Sequence, residues 1–278
     1  MPTAPVALTI AGSDCSAGAG LQADLKTFSA FGVYGLTAVT CVVAEVPGKV
    51  GRIQAVEALN VREQLELLLA NFPVAAVKTG LLLSPAIVEL VAEIFSALAA
   101  QKIPLVVDPV MVATSGDVLL QPEAVAIYRA RLFPLATLVT PNMAEAAALT
   151  GLPVRNLAEM RAAGEKLQTE FGTKILLKGG HLGGAQAIDL LFDGAEVKEF
   201  SAPYVAGVTT HGTGCTYSAA ITAGLAHGLA LPDAIARAKE FVSRAIAAHF
   251  TWPNSLGAIH ALNHSPEPRP STSSTPPP

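Results

Sequence analysis

A glycine-rich turn, Thr210-His211-Gly212-Thr213-Gly214-Cys215, runs directly into small, helix-forming residues. Backbone N–H groups in the first turn of a helix lack intrahelical acceptors, and the helix dipole adds positive charge there. We expect Gly212 and Gly214 to leave room for a phosphate to approach these groups. The same helix start is expected to lower the pKa of the Cys215 thiol. An ordinary glycine loop would contain similar residues, so the rest of the chain must separate the two interpretations.

Polar side chains follow several of the apolar, strand-like segments, namely Lys78, Asp108, Asn142 and Lys178. Ligands of open parallel sheets bind at the carboxyl ends of the strands, so these residues are expected to share one site. The acidic residues Asp108 and Glu145 suit Mg²⁺, which takes one or two carboxylates together with phosphate oxygens. A lysine suits a phosphate as a point charge.

Each of these residues also has a purely structural interpretation. Asn142 and Glu145 have the spacing of a capping box at a helix start, and Asp108 before Pro109 can begin a turn. The lysines can be solvated strand ends, and His181 and His211 can be ordinary loop residues.

Strand-like and helix-like segments alternate along the chain, which predicts a three-layer α/β/α sandwich with a mostly parallel central sheet. The predicted strands are residues 6–12, 36–45, 75–80, 104–110, 137–142, 174–180, 187–193 and 197–202. The predicted helices are residues 18–31, 61–71, 85–101, 122–132, 143–151, 157–171, 215–228 and 232–250. We predict a single domain over residues 1–264 and a disordered tail rich in Pro, Ser and Thr at 265–278.

The composition excludes several classes of function. The net charge of −4 argues against a surface for nucleic acid or anionic membranes. No apolar run is long and uninterrupted enough for a membrane span, and the N-terminus lacks the basic region of a secretion signal. The three cysteines show no paired metal-type spacing. These features predict a cytoplasmic protein that binds a small molecule.

A segment near the N-terminus resembles a dinucleotide-binding fingerprint. Residues 18–23 match G-x-G-x-x-A, and the acidic Glu45 follows at a strand end. Five residues separate the first strand from the first glycine, however, whereas the fingerprint requires the glycine to turn directly out of the strand. An NAD-binding oxidoreductase would also leave the later turn at 212–215 without a role.

Seven motifs in order resemble those of the hydroxymethylpyrimidine/phosphomethylpyrimidine kinases of thiamine synthesis, in the ribokinase superfamily. The similarity covers about residues 8–250. The motifs are Ala11-Gly12-Ser13-Asp14, residues 18–28, Lys78-Thr79-Gly80, Asp108-Pro109-Val110-Met111, Thr140-Pro141-Asn142 with Glu145, Lys178-Gly179-Gly180-His181 and residues 211–215. The resemblance implies a ribokinase-like fold and an ATP- and Mg²⁺-dependent kinase that phosphorylates a heteroaromatic hydroxymethyl group and then its monophosphate. It also implies a homodimer.

The resemblance implies a role for each matching residue. The backbone of Gly212, Thr213 and Gly214 would form an anion hole, with Cys215 in the position of the catalytic base. The remaining implied roles are Mg²⁺ binding for Asp108 and Glu145 with support from Asn142, ATP phosphate contacts for Lys178, Thr213 and Gly214, and substrate binding for Gly12, Asp24, Glu45 and Val110.

The chain departs from the family pattern at a position that contacts substrate. It has Ala44-Glu45-Val46-Pro47 where the pyrimidine kinases have Ala-Gln-Asn-Thr, and the glutamine of the family binds the pyrimidine. Pyridoxal or pyridoxine is therefore the alternative substrate, and a non-catalytic binding protein with this fold is a third possibility. Cys15, Ala17 and Leu81 also depart from the pattern, and the first two are expected to have little effect.

Overall fold

The computed structural model describes residues 4–111, 122–180, 182–208, 211–254 and 257–265. The strands are β1 (Val6–Asp14), β2 (Tyr34–Val46), β3 (Lys49–Ala55), β4 (Val74–Thr79), β5 (Leu105–Val107), β6 (Leu138–Val139), β7 (Ile175–Gly179), β8 (Gln186–Asp193), β9 (Glu196–Pro203), β10 (Phe250–Asn254) and β11 (Gly257–Ala261). The α-helices are α1 (Gly20–Ala30), α2 (Ala58–Asn71), α3 (Pro85–Ala97), α4 (Pro122–Ile127), α5 (Met143–Thr150), α6 (Leu157–Phe171), α7 (Thr213–Ala226) and α8 (Leu231–Ala247). A π-helical turn, Tyr128–Leu132, continues α4.

Nine strands form one sheet in the order β3-β2-β1-β4-β5-β6-β7-β8-β9. The six strands from β2 to β7 in this order pair in parallel. Strands β3, β8 and β9 pair antiparallel at the two edges. The parallel strands therefore place their carboxyl ends along one edge of the sheet. The predicted sandwich with a mostly parallel sheet is confirmed.

Helices cover both faces of this sheet because its central strands are apolar on both sides. Ala7 and Val106 pack with α1, α7 and α8 on one face. Leu8 and Val107, their neighbours in sequence, pack with α2 to α6 on the other face. The alternation follows from the two-residue side-chain period of a strand.

Several elements differ from the expectation based on the sequence. Strands β3, β10 and β11 were not predicted, and β6 covers Leu138–Val139 rather than residues 137–142. The edge strand β3 exposes most of its residues, so it lacks the apolar pattern by which the other strands were predicted. Strand β5 ends at Val107 rather than at Val110. Pro109 has no N–H to donate to a sheet, and Val110 turns the chain away with a φ of 39°.

Three features of the sequence analysis, namely Thr210, His181 and residues 266–278 of the predicted tail, lie outside the described residues. Among the helices that the structure describes, none is both long and apolar enough to cross a membrane.

Candidate active site

The carboxyl edge of the sheet brings together the residues predicted to share a site. Lys78 lies near the end of β4, Asp108 directly follows β5, and Lys178 lies near the end of β7. Asn142 forms an isolated parallel bridge with Lys178. The amino end of α7 lies beside this edge, since a Cβ at Gly214 would be 3.2 Å from Lys178 Nζ and 3.5 Å from Asp108 Oδ2. The glycine therefore allows the helix start to approach these two charged groups closely.

Gly212 brings two loops of the site into backbone contact. It is the N-cap of α7 with a φ of 80°, and a Cβ there would lie 1.9 Å from Gly18 O. Its missing side chain permits backbone contact between two loops and a left-handed conformation. This contact explains the glycine at position 212, and the anion hole at Gly212, Thr213 and Gly214 stays a prediction.

Asp108 is a buried acceptor shared by three elements. Lys178 Nζ donates to its Oδ1 at 2.9 Å, and the Thr140 hydroxyl donates to the same oxygen at 3.1 Å. Ser218 Oγ, in the second turn of α7, lies 3.4 Å from Oδ2. Burial alone would lower the pKa of the partly buried Lys178, but Asp108 and Glu145 raise it above its ordinary value. Lys178 is therefore a cation at neutral pH.

Asn142 and Glu145 form the capping box that the sequence allowed. Asn142 Oδ1 accepts the Glu145 N–H at 2.9 Å, and Glu145 Oε2 accepts the Asn142 N–H at 2.8 Å. Burial raises the pKa of the Glu145 carboxyl; Lys178 opposes this effect, and the nearby charge of Asp108 adds to it. Two carboxyls whose charges interact supply oxygen ligands that suit a divalent cation, and the capping function does not exclude this.

Cys215 lies in the first turn of α7, but its thiol is not activated as the sequence suggested. Burial raises its pKa to about 11; Lys78 opposes the shift, whereas Asp24 and Asp108 reinforce it. A hydrogen bond from the Gly20 N–H favours the thiolate. The predicted fall in pKa is thus corrected, because burial and two nearby acids outweigh the helix dipole.

A fully buried ion pair lies next to Cys215. Lys78 Nζ is 2.8 Å from both carboxylate oxygens of Asp24, and neither side chain is exposed to solvent. The Thr9 hydroxyl donates to Asp24 Oδ2 at 2.6 Å. Burial alone would lower the pKa of Lys78, but Asp24, with Cys215 and Asp108, raises it above its ordinary value. The resemblance implied that Asp24 binds substrate. The ion pair with Lys78 determines the orientation of the Asp24 carboxylate.

Glu45 lies beside a second charged pair at the end of β1. His211 Nε2 is 3.0 Å from Asp14 Oδ2 and 3.8 Å from a Glu45 carboxylate oxygen. Burial raises the pKa of Glu45, the charge of Asp14 raises it further, and His211 opposes both. Cys15 fixes the backbone of Glu45, since its sulfur donates to Glu45 O at 3.2 Å and accepts the Glu45 N–H at 3.3 Å.

The other predicted substrate residues, Gly12 and Val110, line the same edge. A Cβ at Gly12 would lie 2.7 Å from Cys41 Sγ, so no larger residue fits there. Val110 directly follows the Asp108-Pro109 pair, and its φ of 39° is rare for a β-branched residue. Ala17 has a φ of 58°, so this departure from a family glycine carries backbone strain, contrary to the expectation of little effect.

Comparison with known proteins assigns the chain to a family. The family model described as phosphomethylpyrimidine kinase matches residues 14–260. The chain belongs to this family. It is 43% identical over 258 residues to the hydroxymethylpyrimidine/phosphomethylpyrimidine kinase of Streptomyces coelicolor, covering 92% of this chain and 94% of the relative.

Two solved structures are similar to this phosphomethylpyrimidine kinase family member. The ADP complex of Bacillus subtilis pyridoxal kinase has a TM-score of 0.87 at 38% identity, covering 95% of this chain and 98% of that structure. The phosphomethylpyrimidine kinase of Clostridium difficile has a TM-score of 0.75 at 38% identity, covering 87% of this chain and 99% of that structure. The ribokinase-like fold is confirmed.

The structure of this family member also places residues in the site that the sequence analysis did not assign a role. Thr140 and Ser218 contact Asp108, and Asp14 holds His211. His264 Nε2, near the end of the described chain, lies 2.9 Å from Thr216 Oγ1 in α7. Burial and nearby Lys26 lower the pKa of His264 to about 4, so it is neutral at pH 7. Asp14 and Thr140 belong to motifs of the resemblance, whereas only contacts between distant segments identify Ser218 and His264.

The buried pair of Lys78 and Asp24 yields a test of stability. Removing one charge leaves the other buried without a partner, which typically costs about 3–5 kcal/mol. We expect Lys78→Met and Asp24→Asn each to lower the free energy of unfolding by about this amount, measured in urea. The double variant should cost much less than the sum.

The exposed pair of Lys174 and Asp193, 2.7 Å apart, provides the matched control. Lys174→Met should cost less than about 1 kcal/mol, because solvent screens such pairs. Strictly additive losses for Lys78→Met and Asp24→Asn would contradict the coupling of the buried pair.

Proposed function

We propose that this protein is an ATP- and Mg²⁺-dependent kinase that phosphorylates 4-amino-5-hydroxymethyl-2-methylpyrimidine and then its monophosphate. The observation that supports the proposal is the position of the amino end of α7, where Gly214 lies against Asp108 and Lys178. Phosphoryl transfer depends mainly on positioning and on stabilising negative charge. The helix start and the Lys178 ammonium supply positive charge, and the two carboxyls would hold the Mg²⁺ that supplies more. A homodimer and a cytoplasmic location remain predictions.

The likeness to solved kinases supports ATP as the phosphate donor, since one similar pyridoxal kinase was solved with ADP. A cleft of about 800 Å³ lies between β9 and α8, and Lys239 lines it. Lys239 Nζ bonds Asp189 Oδ2 at 2.6 Å, and Asp189 is the partner of Lys178 in the pairing of β7 with β8. The cleft thus lies one strand beyond β8, the neighbour of the strand that carries Lys178, and we propose that it receives the nucleotide base.

Asp108 and Glu145 would hold Mg²⁺, with Asn142 in a supporting position. The ion would neutralise phosphate charge during transfer. Asn142 holds Glu145 through the capping box, because its side-chain oxygen accepts the Glu145 N–H. Lys178 and the N–H groups at Thr213 and Gly214 would contact the phosphates. Lys178 and Asp108 are already hydrogen-bonded, so the lysine orients the carboxylate toward the site.

Cys215 is the proposed base for the first phosphorylation. The hydroxyl oxygen of the substrate forms a bond to the transferred phosphorus, the bond from phosphorus to the leaving phosphate oxygen breaks, and the Cys215 thiolate takes the hydroxyl proton. Lys78 favours the thiolate. The monophosphate is already ionised near neutral pH and requires no base for the second step.

Glu45 favours the aminopyrimidine over pyridoxal. An ionised carboxylate can only accept hydrogen bonds, but a protonated carboxyl offers one donor and one acceptor, as glutamine does. Burial and the charge of Asp14 raise the pKa of Glu45, which promotes the protonated form. A protonated Glu45 can accept from the exocyclic amine and donate to the ring nitrogen. The high similarity to a pyridoxal kinase keeps pyridoxal as the second candidate.

A substrate panel with ATP–Mg²⁺ tests the proposed function. We expect ADP to form with hydroxymethylpyrimidine and with its monophosphate, and a lower kcat/KM with pyridoxal and pyridoxine. A higher kcat/KM for pyridoxal would transfer the assignment to the second candidate. Stabilisation by ligands without formation of ADP would indicate a binding protein, and stabilisation by NAD instead of ATP would favour the oxidoreductase.

Glu45→Gln tests substrate recognition. A hydrogen-bonding group of the ligand that is left without a partner costs about 1–3 kcal/mol. Glutamine can donate to the ring nitrogen, so the variant should lower the KM for hydroxymethylpyrimidine by about tenfold at neutral pH. The wild-type KM should approach that of the variant as the pH falls, because a raised pKa means that Glu45 becomes protonated on that side. Identical KM values at all pH values would show that Glu45 does not contact the ring.

Cys215→Ala tests the base. The first phosphorylation should slow by about 10²–10⁴-fold, the usual range for loss of general-base catalysis, and the second should slow much less. Because the pKa of the thiol is about 11, the wild-type rate of the first step should rise with pH through the neutral range. Equal losses in both steps, or a first step independent of pH, would assign Cys215 to shaping the site.

A further inference from the structure

Two loops of the site touch backbone to backbone where α1 and α7 begin. The loop between β1 and α1, residues 15–19, lies against the N-cap of α7, since a Cβ at Gly212 would be 1.9 Å from Gly18 O and 3.0 Å from Ala19 Cα. A Cβ at Gly18 would lie 3.0 Å from the ring of His211. The position of one loop therefore depends directly on that of the other.

Asp14 organises the first loop. Its carboxylate accepts backbone N–H groups from Ser16, Gly18 and Ala19 at 2.7, 3.1 and 2.8 Å. The carboxylate oxygen that accepts from Gly18 and Ala19 also bonds His211 Nε2 at 3.0 Å. Burial alone would raise the pKa of Asp14, but these hydrogen bonds, led by that from His211, lower it to about 2. Asp14 is therefore ionised throughout the physiological range.

We propose that His211 is a positioning residue. Through its hydrogen bond to Asp14, it holds the anion-binding start of α7 against the loop at residues 15–19. His211 directly precedes the N-cap of α7, so its side chain determines where the N–H groups of Thr213 and Gly214 point. The inference rests on the proposed kinase function and adds a residue to which the resemblance assigned no role.

The hydrogen bond between His211 and Asp14 depends on pH. The titratable groups facing His211 in the described structure are Asp14 on β1 and Glu45 on β2. The nearest lysine on α1, Lys26, bonds Ala17 O at 2.7 Å in the same loop. Burial alone would lower the pKa of His211, but the two carboxyls raise it above its ordinary value. The charged hydrogen bond is thus present below this raised pKa and is weakened as the pH rises through it.

The test measures kcat for the second phosphorylation, which needs no base, as a function of pH. We expect His211→Ala to lower kcat about tenfold to a hundredfold, the loss of a charge-assisted hydrogen bond, with a smaller change in KM. The wild-type kcat should fall several-fold as His211 loses its proton. His211→Gln retains a neutral donor, so it should match the alkaline wild-type kcat at every pH.

His227→Gln is the control, because His227 bonds Phe31 O at the opposite end of α7. It should leave kcat and its pH dependence unchanged. Unchanged kcat in His211→Ala, or a pH profile in His211→Gln identical to that of the wild type, would overturn the proposal.

NMR titration of the His211 ring separates this inference from the proposed function. The wild-type pKa should lie above the ordinary 6.5, and Asp14→Asn should lower it. Failure of the wild type to phosphorylate any pyrimidine would refute the proposed function, whereas a His211 pKa at or below 6.5, or one unaffected by Asp14→Asn, would refute the charged contact.

Discussion

The contact between Lys78 and Asp24 is the constraint on which the site depends. Both side chains are completely buried, and a buried charge is tolerated only if it is paired and hydrogen-bonded. Lys78 belongs to β4, Asp24 to α1, and Thr9, the third member, is the partner of Lys78 in the pairing of β1 with β4. A shift of α1 along the sheet, or a slip of one strand, would separate these charges. The pair therefore fixes α1 relative to the carboxyl ends of the strands.

With α1 fixed, the start of α7 has little freedom. A Cβ at Gly20, the first residue of α1, would lie 2.4 Å from Gly12 O, so the backbones of β1 and α1 are in direct contact. The Gly20 N–H bonds the Cys215 sulfur, and Gly212 touches the same loop. Several glycines of the site thus permit close packing of backbone segments. Gly214, at the same helix start, lies close to the charged groups of the strands, and the anion-binding function of this helix start stays a prediction.

The structural features that depend on local sequence pattern could be predicted from the sequence. Runs such as 105–107 predicted the parallel sheet, and the order of polar strand ends predicted that Lys78, Asp108 and Lys178 would meet. Edge strand β3 was missed because exposure on both sides removes the apolar signal. The error over the Cys215 pKa has a different physical reason. The helix dipole can be read from the sequence, but the burial and the charges of Asp24 and Asp108 that oppose it depend on tertiary packing. The same limit applies to His264, which contacts Thr216 across 48 residues.

The charges of the site explain why a carboxyl at Glu45 is compatible with phosphate chemistry. Carboxyl groups outnumber cationic side chains at this edge. The carboxyl groups are those of Asp14, Asp24, Glu45, Asp108 and Glu145, and the cationic groups are those of Lys78, Lys178 and His211. Asp24 and Asp108 each bond a lysine, whereas Glu45 and Asp14 share one histidine. Burial and the charge of Asp14 therefore oppose a negative charge at Glu45, and its pKa is raised. Phosphate groups would add further negative charge beside Asp108 and Glu145, so a divalent cation between these groups would lower the free energy of the bound state.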